Sequence, residues 1–203
     1  MNIASNNIQS SPEVIAVSKT FGIDKVMPLI EYGHEHFGEN KVQEAISKWE
    51  KTKKEKRNLK LHLIGKLQTN KVKFAVKLFD YIHSLDSEKL AKKISDEQNK
   101  QNCKPKLFIQ INLGEEEQKS GISKNDLPEF KKYCEGLNLN ITGIMCLPPF
   151  DEDPEKYFLE MKDINSEINF KDLSMGMSSD YLKAIKYNAT FLRIGSRIFG
   201  KRS

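Results

Sequence analysis

One lysine in this chain has the position that carbonyl chemistry requires. Lys19 follows the apolar run VIAVS at 14–18, and strand alternation places Ile15, Val17 and Lys19 on one face. An amine held among aliphatic side chains loses water, which favours its neutral form and makes it a nucleophile for a carbonyl carbon. Most lysines that end a strand are simply solvated, so the position alone indicates only a candidate.

A second group of residues could hold a phosphate. The apolar run TFLRIG at 190–195 ends in Gly195, and Ser196 then begins a short helical segment. Unpaired backbone N–H groups at a helix start, together with a serine hydroxyl, suit a dianion. The small residues of segment 174–178 are interpreted as a flexible loop that closes over the same anion. A plain tight turn explains a Gly-Ser pair equally well.

Arg193 is the third candidate because it interrupts an apolar strand. Alternation places its side chain on the same face as Phe191. A buried guanidinium needs a partner or a ligand. The alternative to a ligand is an internal ion pair, for which Glu39, Asp86 or Asp172 could serve.

The other titratable residues do not indicate a metal site. His34, His36 and His62 have no further ligand at a suitable spacing, so we assign them to packing in the core or at its rim. Glu115, Glu116 and Glu117 form a charged run typical of a solvated turn, and not a paired acid and base.

The elements that must position these residues alternate between strands and helices. Eight such units favour a closed (β/α)8 barrel of the TIM type, in which all strand ends meet at one mouth. No GxGxxG follows the first strand, which argues against an open dinucleotide-binding sheet. The candidate strands are VIAVS at 14–18, HFG at 36–38, LHLIG at 61–65, YIHS at 81–84, KLFIQIN at 106–112, ITGIM at 141–145, DLSM at 172–175 and TFLRIG at 190–195.

The helices between the strands carry apolar stripes and start signals. Asn40, Ser87 and Asp153 are predicted N-caps. After Asn40, apolar residues at a spacing of three and four predict one buried stripe that ends at Trp49. Cysteines at 103, 134 and 146 are an odd number without paired spacing, which predicts reduced, structural thiols.

Composition is that of an ordinary globular protein. The chain has 203 residues, 38% hydrophobic and 30% charged, which predicts a short polar segment at 1–13 and one domain at 14–203. It has no apolar run of membrane length and no secretory signal, so a cytoplasmic location is expected. Much of the net charge of +5 falls in segment 48–60, which we interpret as a solvated helix end and loop and not as a nucleic-acid site.

Eight segments of the chain, taken in this order, form a pattern that is highly specific for one protein family. They are AVSKT at 16–20, FGENKVQEA at 37–45, HLIGKLQTNK at 62–71, HSLDS at 83–87, QINLGEEEQKSGI at 110–122, GIMCLPP at 143–149, LSMGMSSDYLKAI at 173–185 and RIGSRIFGKR at 193–202. In these segments the chain resembles the YggS/PROSC family of pyridoxal 5′-phosphate (PLP) homeostasis proteins. Members usually carry a helix before the first strand, whereas only thirteen residues precede Val14 here, so a shortened amino terminus is expected.

The resemblance implies a fold and a cofactor. The fold is a barrel like the N-terminal domain of alanine racemase, of PLP fold type III. PLP would form a Schiff base with Lys19, and Asn40 would lie near the cofactor. Arg193 would approach the pyridine nitrogen. Lys119, near the mouth, would influence cofactor transfer.

The resemblance also implies the residues that contact the phosphate. These are Ser174, Met175 and Gly176 on one segment, and Gly195 and Ser196 on the other. Together with Lys19, they would hold the two ends of PLP.

Function follows as an expectation with two alternatives. An arginine beside the pyridine nitrogen keeps it unprotonated and weakens the electron sink, so we expect a monomeric carrier or regulator of free PLP without turnover, which serves apo PLP-dependent enzymes. The first alternative is a PLP-dependent racemase or lyase whose second base is Lys119, Tyr81 or His83. The second is a nucleic-acid-associated module that uses segment 48–60.

Overall fold

Eight parallel strands close into a barrel, and a helix follows each strand. The computed structural model describes residues 11–114 and 120–200. The strands are β1 (Glu13–Val17), β2 (His36–Glu39), β3 (Lys60–Leu63), β4 (Tyr81–Leu85), β5 (Lys106–Ile111), β6 (Ile141–Cys146), β7 (Asp172–Met177) and β8 (Phe191–Ile194). The helices are α1 (Ile23–Glu31), α2 (Val42–Glu55), α3 (Val72–Leu78), α4 (Glu88–Gln101), α5 (Leu127–Gly136), α6 (Pro154–Ile168), α7 (Tyr181–Lys186) and α8 (Ser196–Phe199), with a 3₁₀ turn at Thr69–Lys71.

Each strand pairs with its neighbours in the chain, and β1 closes the barrel against β8. The predicted (β/α)8 barrel is therefore confirmed, and the predicted strands agree with the observed ones to within two residues at each end. Parallel strands place all their carboxyl ends at one rim, so the residue after β1 and the residues after β8 share a mouth.

One local error concerns segment 174–178. Ser174 to Met177 continue strand β7 and do not form a flexible loop. Alternation is retained along the strand, because Met175 packs into the core between strands and helices. Gly176 has a φ of +86°, and a Cβ there would lie 2.6 Å from Ala184 of α7. A glycine is needed at this position because it lets the helix pack closely against the strand.

The helices start where the sequence predicted in two of three cases. The side chains of Ser87 and Asp153 accept backbone N–H groups at the starts of α4 and α6. Lys41, not Asn40, is the N-cap of α2, and it makes no side-chain cap bond. The predicted stripe on α2 is confirmed by its buried Trp49.

The structure bears on two expectations drawn from composition, the reduced cysteines and the solvated basic segment. None of the three cysteines forms a disulfide, as predicted. Within the basic segment, Lys48 and Lys53 point inward and pair with Glu39 and Asp80.

In the described part of the chain, no helix is both long and apolar enough to cross a membrane.

Candidate functional site

The mouth of the barrel contains a cavity of about 1390 Å³. Five residues predicted from the sequence line it: Lys19, Asn40, Arg193, Gly195 and Ser196. Lys19 and Asn40 follow β1 and β2, Arg193 lies in β8, and Gly195 and Ser196 follow β8, so closure of the barrel brings the first two strands and the last strand together at this cavity.

Lys19 sits on a constrained turn after β1. The lysine is half-buried, and the next residue, Thr20, has a φ of +72°. A β-branched residue rarely adopts this left-handed conformation, and it persists only where the surroundings hold it. Here the Thr20 backbone N–H donates to the Glu44 carboxylate at 2.7 Å. The backbone that presents Lys19 is therefore fixed on its carboxyl side.

A buried polar cluster fixes the other side of Lys19. We call Ser18, Glu39, Lys48 and Trp49 the Glu39 cluster. The Ser18 hydroxyl donates to Glu39 Oε1 at 2.7 Å, and the Trp49 indole donates to the same oxygen at 2.9 Å. Lys48 Nζ donates to Glu39 Oε1 at 2.7 Å and to the Ser18 carbonyl at 2.6 Å. Ser18 is thus held through both its side chain and its carbonyl, directly before Lys19.

Asn40 presents an acceptor that has no partner. Its Oδ1 atom is buried and has no hydrogen bond within the described residues. An unpaired buried acceptor costs about 1–3 kcal/mol. Beside it, a Cβ on Gly65 would lie 2.3 Å from the Asn40 carbonyl oxygen, so only glycine lets the segment after β3 pass this close. A ligand hydroxyl in the cavity would satisfy the Asn40 acceptor.

The segment after β8 presents polar groups suited to an anion. The Gly195 backbone N–H donates to Ser178 Oγ at 3.1 Å. Ser196 and Arg197 begin α8, where backbone N–H groups have no carbonyl partner inside the helix. Arg197 Nε donates to the Ser178 carbonyl at 2.8 Å, and its guanidinium lies over the Tyr181 ring. Ser178, which belongs to the segment 174–178 predicted to close over the anion, and Arg197, which the sequence analysis did not single out, both line the cavity.

Three predicted phosphate contacts, Ser174, Met175 and Gly176, are not among the residues that line the mouth cavity, so these contacts stay a prediction. Because they belong to β7, Ser174 faces the barrel interior and Met175 faces the helices. The lining of the cavity begins at Met177 and continues through Ser178.

Arg193 reaches the base of the cavity from inside the barrel. Its Nη1 donates to Ser174 Oγ at 2.7 Å and its Nη2 donates to the Cys146 carbonyl at 2.8 Å. Burial lowers its pKa, and neighbouring Asp180 partly opposes that effect. The proposed ion pairs with Glu39, Asp86 or Asp172 are wrong, since no ion pair of the described residues includes Arg193. Neutral acceptors hold the guanidinium instead.

Two of the three candidates for a second base, Tyr81 and His83, do not lie at the mouth. His83 is fully buried in the barrel interior, and Tyr81 begins β4 at the opposite end of the barrel. Neither lines the cavity. Lys119 lies outside the described residues. Neither of the two candidate bases that the structure describes, Tyr81 and His83, therefore lies where the racemase alternative needs it.

The fold and the mouth define a parallel β/α barrel that presents a lysine and anion-binding groups at one rim. A family model described as "Alanine racemase, N-terminal domain" matches residues 1–203. The pyridoxal phosphate homeostasis protein of Aquifex aeolicus is 36% identical over 96% of this chain and 89% of its own length. That of Haemophilus influenzae is 34% identical over 98% of this chain and 88% of its own.

Solved structures agree with this similarity. PipY of Synechococcus elongatus without PLP has a TM-score of 0.88 and 33% identity, and covers 93% of each chain. Its structure with PLP bound has a TM-score of 0.83 and 31% identity, over 96% of this chain and 95% of that one. An alanine racemase of Clostridium difficile shares the fold at 14% identity and a TM-score of 0.72.

The chain belongs to the pyridoxal phosphate homeostasis family, which is built on the alanine racemase N-terminal domain. The resemblance seen in its sequence segments is confirmed.

Proposed function

We propose that the chain binds PLP at the barrel mouth and serves PLP homeostasis, with Lys19 as the residue that forms the Schiff base. The observation that carries this proposal is the convergence of Lys19, the unpaired Asn40 acceptor and the α8 amides on one cavity. Relatives named for PLP homeostasis, and the PipY structure with PLP bound, support the choice of ligand.

The residues of the mouth have separable tasks in this proposal. PLP supplies an aldehyde for a lysine amine and a pyridine ring that can accept electrons. Lys19 binds the aldehyde end of PLP, and Asn40 Oδ1 accepts a hydrogen bond from the ring hydroxyl. The backbone N–H groups of Ser196 and Arg197 at the start of α8 bind the phosphate beside Gly195, whose own amide donates to Ser178 Oγ, and the Arg197 side chain adds positive charge.

We also propose that the protein does not turn over amino acids. Racemases of this fold need a base on each face of the cofactor, and Tyr81 and His83 do not reach the mouth. Arg193 cannot accept a proton, so beside the pyridine nitrogen it disfavours the pyridinium form. The relatives' names, which describe homeostasis and not a reaction, agree with this role. The proposal includes a monomeric state, a cytoplasmic location and apo PLP-dependent enzymes as recipients.

Covalent trapping tests the assignment of Lys19. After loading with PLP and reduction with borohydride, we expect one phosphopyridoxyl group on Lys19, located by peptide mass spectrometry. Lys19→Ala should abolish it. Lys183→Ala is the matched control, because Lys183 lines the same cavity and pairs with Asp153. Stable trapping at one other lysine in Lys19→Ala would contradict the assignment.

A second measurement tests the phosphate end. Ser196→Ala removes one hydroxyl from a charge-assisted contact, which costs about 1.5–3 kcal/mol, or roughly ten- to a hundredfold in PLP affinity. Ser166→Ala is the control, since Ser166 donates to the Lys162 carbonyl on the distant helix α6. Equal PLP affinity in both variants, measured by titration, would place the phosphate elsewhere.

A further inference from the structure

Four side chains form a continuous hydrogen-bonded chain through the interior of the barrel. His36 Nδ1 lies 2.9 Å from His62 Nε2, and His62 Nδ1 lies 2.9 Å from His83 Nε2. His83 Nδ1 lies 3.0 Å from Ser174 Oγ, which accepts from Arg193 Nη1 at 2.7 Å. We call His36, His62, His83 and Ser174 the imidazole chain. It connects the barrel floor to the guanidinium at the base of the mouth.

This interior is unusual for a barrel of this kind. Barrel interiors are normally filled by layers of branched aliphatic side chains. Here His62 stacks on Tyr81 and His83 stacks on Phe108, each with ring centroids 4.2 Å apart. His62, His83 and Ser174 are fully buried, whereas the side chain of His36 is 16% exposed at the floor. The chain therefore has one end in contact with solvent.

The number of protons limits the chain to two arrangements. A neutral imidazole has one N–H, so each ring donates from one nitrogen and accepts at the other. In the first arrangement the Ser174 hydroxyl donates to His83, and every histidine carries its proton on Nε2. In the second, every histidine carries its proton on Nδ1 and His83 donates to Ser174. Mixed arrangements place two hydrogens, or two lone pairs, between neighbouring rings.

The charges at the two ends favour the first arrangement. Arg193 already donates to Ser174, which directs the serine hydroxyl hydrogen toward His83. At the floor, His36 Nε2 lies 4.0 Å from the Glu13 carboxylate, so an Nε2 proton faces a negative charge. In the second arrangement the serine hydroxyl loses its acceptor.

Protonation of His36 reverses this preference. A charged imidazole carries hydrogens on both nitrogens, so its Nδ1–H must then donate to His62 Nε2. In the first arrangement His36 Nε2 already carries its proton, so the proton on His36 Nδ1 comes from His62 Nε2, and His62 Nδ1 takes the Nε2 proton of His83. His83 Nδ1 takes the hydroxyl proton of Ser174, and the proton taken up from solvent restores that hydroxyl. His83 then donates to Ser174, so the serine accepts from both His83 and Arg193. A positive charge on His36 at the floor thus changes the hydrogen bond that holds Arg193.

We propose that the imidazole chain is a positioning relay, which holds the Arg193 guanidinium and transmits the protonation state of His36 to it. The relay applies to the protein with or without a ligand at the mouth. Its consequence for PLP rests on the proposed function, because it needs the pyridine nitrogen to lie beside Arg193.

The charged neighbours of the chain define what sets its titration. His36 faces Glu13 of β1, Lys60 of β3, and His34 and Glu35 near its own strand; its pKa is lowered mainly by burial. His62 is within the influence of His83, His36, Lys53 and Lys106, and His83 within that of Arg193. For both, burial is the main cause of a pKa well below the usual value. These two rings therefore change tautomer without becoming charged.

The test is a ¹⁵N-histidine NMR titration of the protein without PLP, over the pH range in which its circular dichroism stays native. Two-bond correlations distinguish Nε2–H from Nδ1–H rings. We expect Nε2–H tautomers at neutral pH, and a change of His83 to Nδ1–H at the midpoint at which His36 becomes charged. A His83 that keeps its tautomer while His36 titrates would overturn the relay, as would a His36 that stays neutral throughout that range.

Two variants separate the relay from a purely structural role. In His36→Gln, at the half-buried floor position, the tautomer change of His83 at that midpoint should disappear; its persistence would overturn the proposal. Ser84→Ala is the matched control. Ser84 is fully buried beside His83 on β4, but its hydroxyl has no partner in the described residues, so the change should persist.

The consequence for the cofactor is measured separately. In protein loaded with PLP, the pH dependence of the visible absorption band should differ between wild type and His36→Gln. If PLP gives no Schiff-base absorption in the wild type, the proposed function fails while the NMR result still decides the relay. If the band forms but its pH dependence is the same in both proteins, transmission from His36 to the cofactor is contradicted.

Discussion

Two buried polar groups in this barrel arrange their hydrogen bonds in opposite ways. The Glu39 cluster lies outside the strands, between β2 and α2, and contains a carboxylate and an ammonium with 0% and 6% side-chain exposure. The imidazole chain lies inside the strands and consists of neutral rings in series. In the first group three donors converge on one oxygen; in the second each residue passes one hydrogen bond to the next.

The difference shows what charge does to a buried site. A buried carboxylate needs a fixed counterion and fixed donors, so it defines one geometry. Neutral imidazoles have no such requirement, and the series can reverse its direction while every ring keeps its place. The cluster that must hold the backbone of Lys19 is therefore charged and rigid, whereas the chain that ends at Arg193 can respond to a proton.

The largest effect should come from removing the charge at the centre of the Glu39 cluster. Glu39→Ala leaves the buried Lys48 ammonium without a counterion and frees Ser18 and Trp49 from their shared acceptor. Breaking a buried pair in this way costs about 3–5 kcal/mol. Urea unfolding followed by circular dichroism measures the loss. Glu50→Ala, which removes an exposed partner of Lys54 on the same helix, should leave the midpoint unchanged.

The second largest effect should come from acid, which acts on the imidazole chain. Burial holds the pKa of His62 and His83 well below 6.5 in the folded protein, whereas the unfolded chain has ordinary histidines. The unfolded state therefore binds more protons between these values, and stability falls as pH falls below about 6.5. Each ring contributes a slope of about 1.4 kcal/mol per pH unit.

Unfolding free energies measured between neutral pH and the onset of acid unfolding check this slope. In His62→Phe the slope of unfolding free energy against pH should fall by about 1.4 kcal/mol per pH unit, because one of the two fully buried rings with a lowered pKa is gone. A slope equal to that of wild type would mean that the buried rings do not cause the acid sensitivity.

The smallest effect is expected for an exposed ion pair, which tests whether burial or distance sets the energy. Lys92 and Asp96 form an ion pair at 2.6 Å on α4, shorter than the pair in the Glu39 cluster, yet both side chains are exposed. Screening by water and the entropy of ordering two long side chains offset most of the attraction. Lys92→Ala should shift the urea midpoint by no more than experimental error. A loss comparable to that of Glu39→Ala would show that distance, and not burial, sets the energy.

Much of the barrel could be predicted because its signals are local. Alternating apolar residues identify strands, and apolar stripes such as the one ending at Trp49 identify helices. The prediction failed where two local signals compete. Ser174 and Gly176 are small residues that are typical of a loop, but Leu173 and Met175 keep the strand period and pack against the helices. Because packing against the helices favours the strand, Ser174 lies in the barrel interior and not at the mouth.

The sequence by itself determined the (β/α)8 fold, the place of Lys19 after the first strand and that of Gly195 and Ser196 after the last, because each depends on a short stretch of chain. Only the tertiary structure decided which interior side chains meet. His36, His62, His83 and Ser174 stand on β2, β3, β4 and β7, and Ser174 is 91 residues from His83 in the chain. Alternation tells which residues face inward, but not their height in the barrel or their neighbours across it. Those depend on the register and closure of all eight strands, so histidines that looked like ordinary packing form a connected chain.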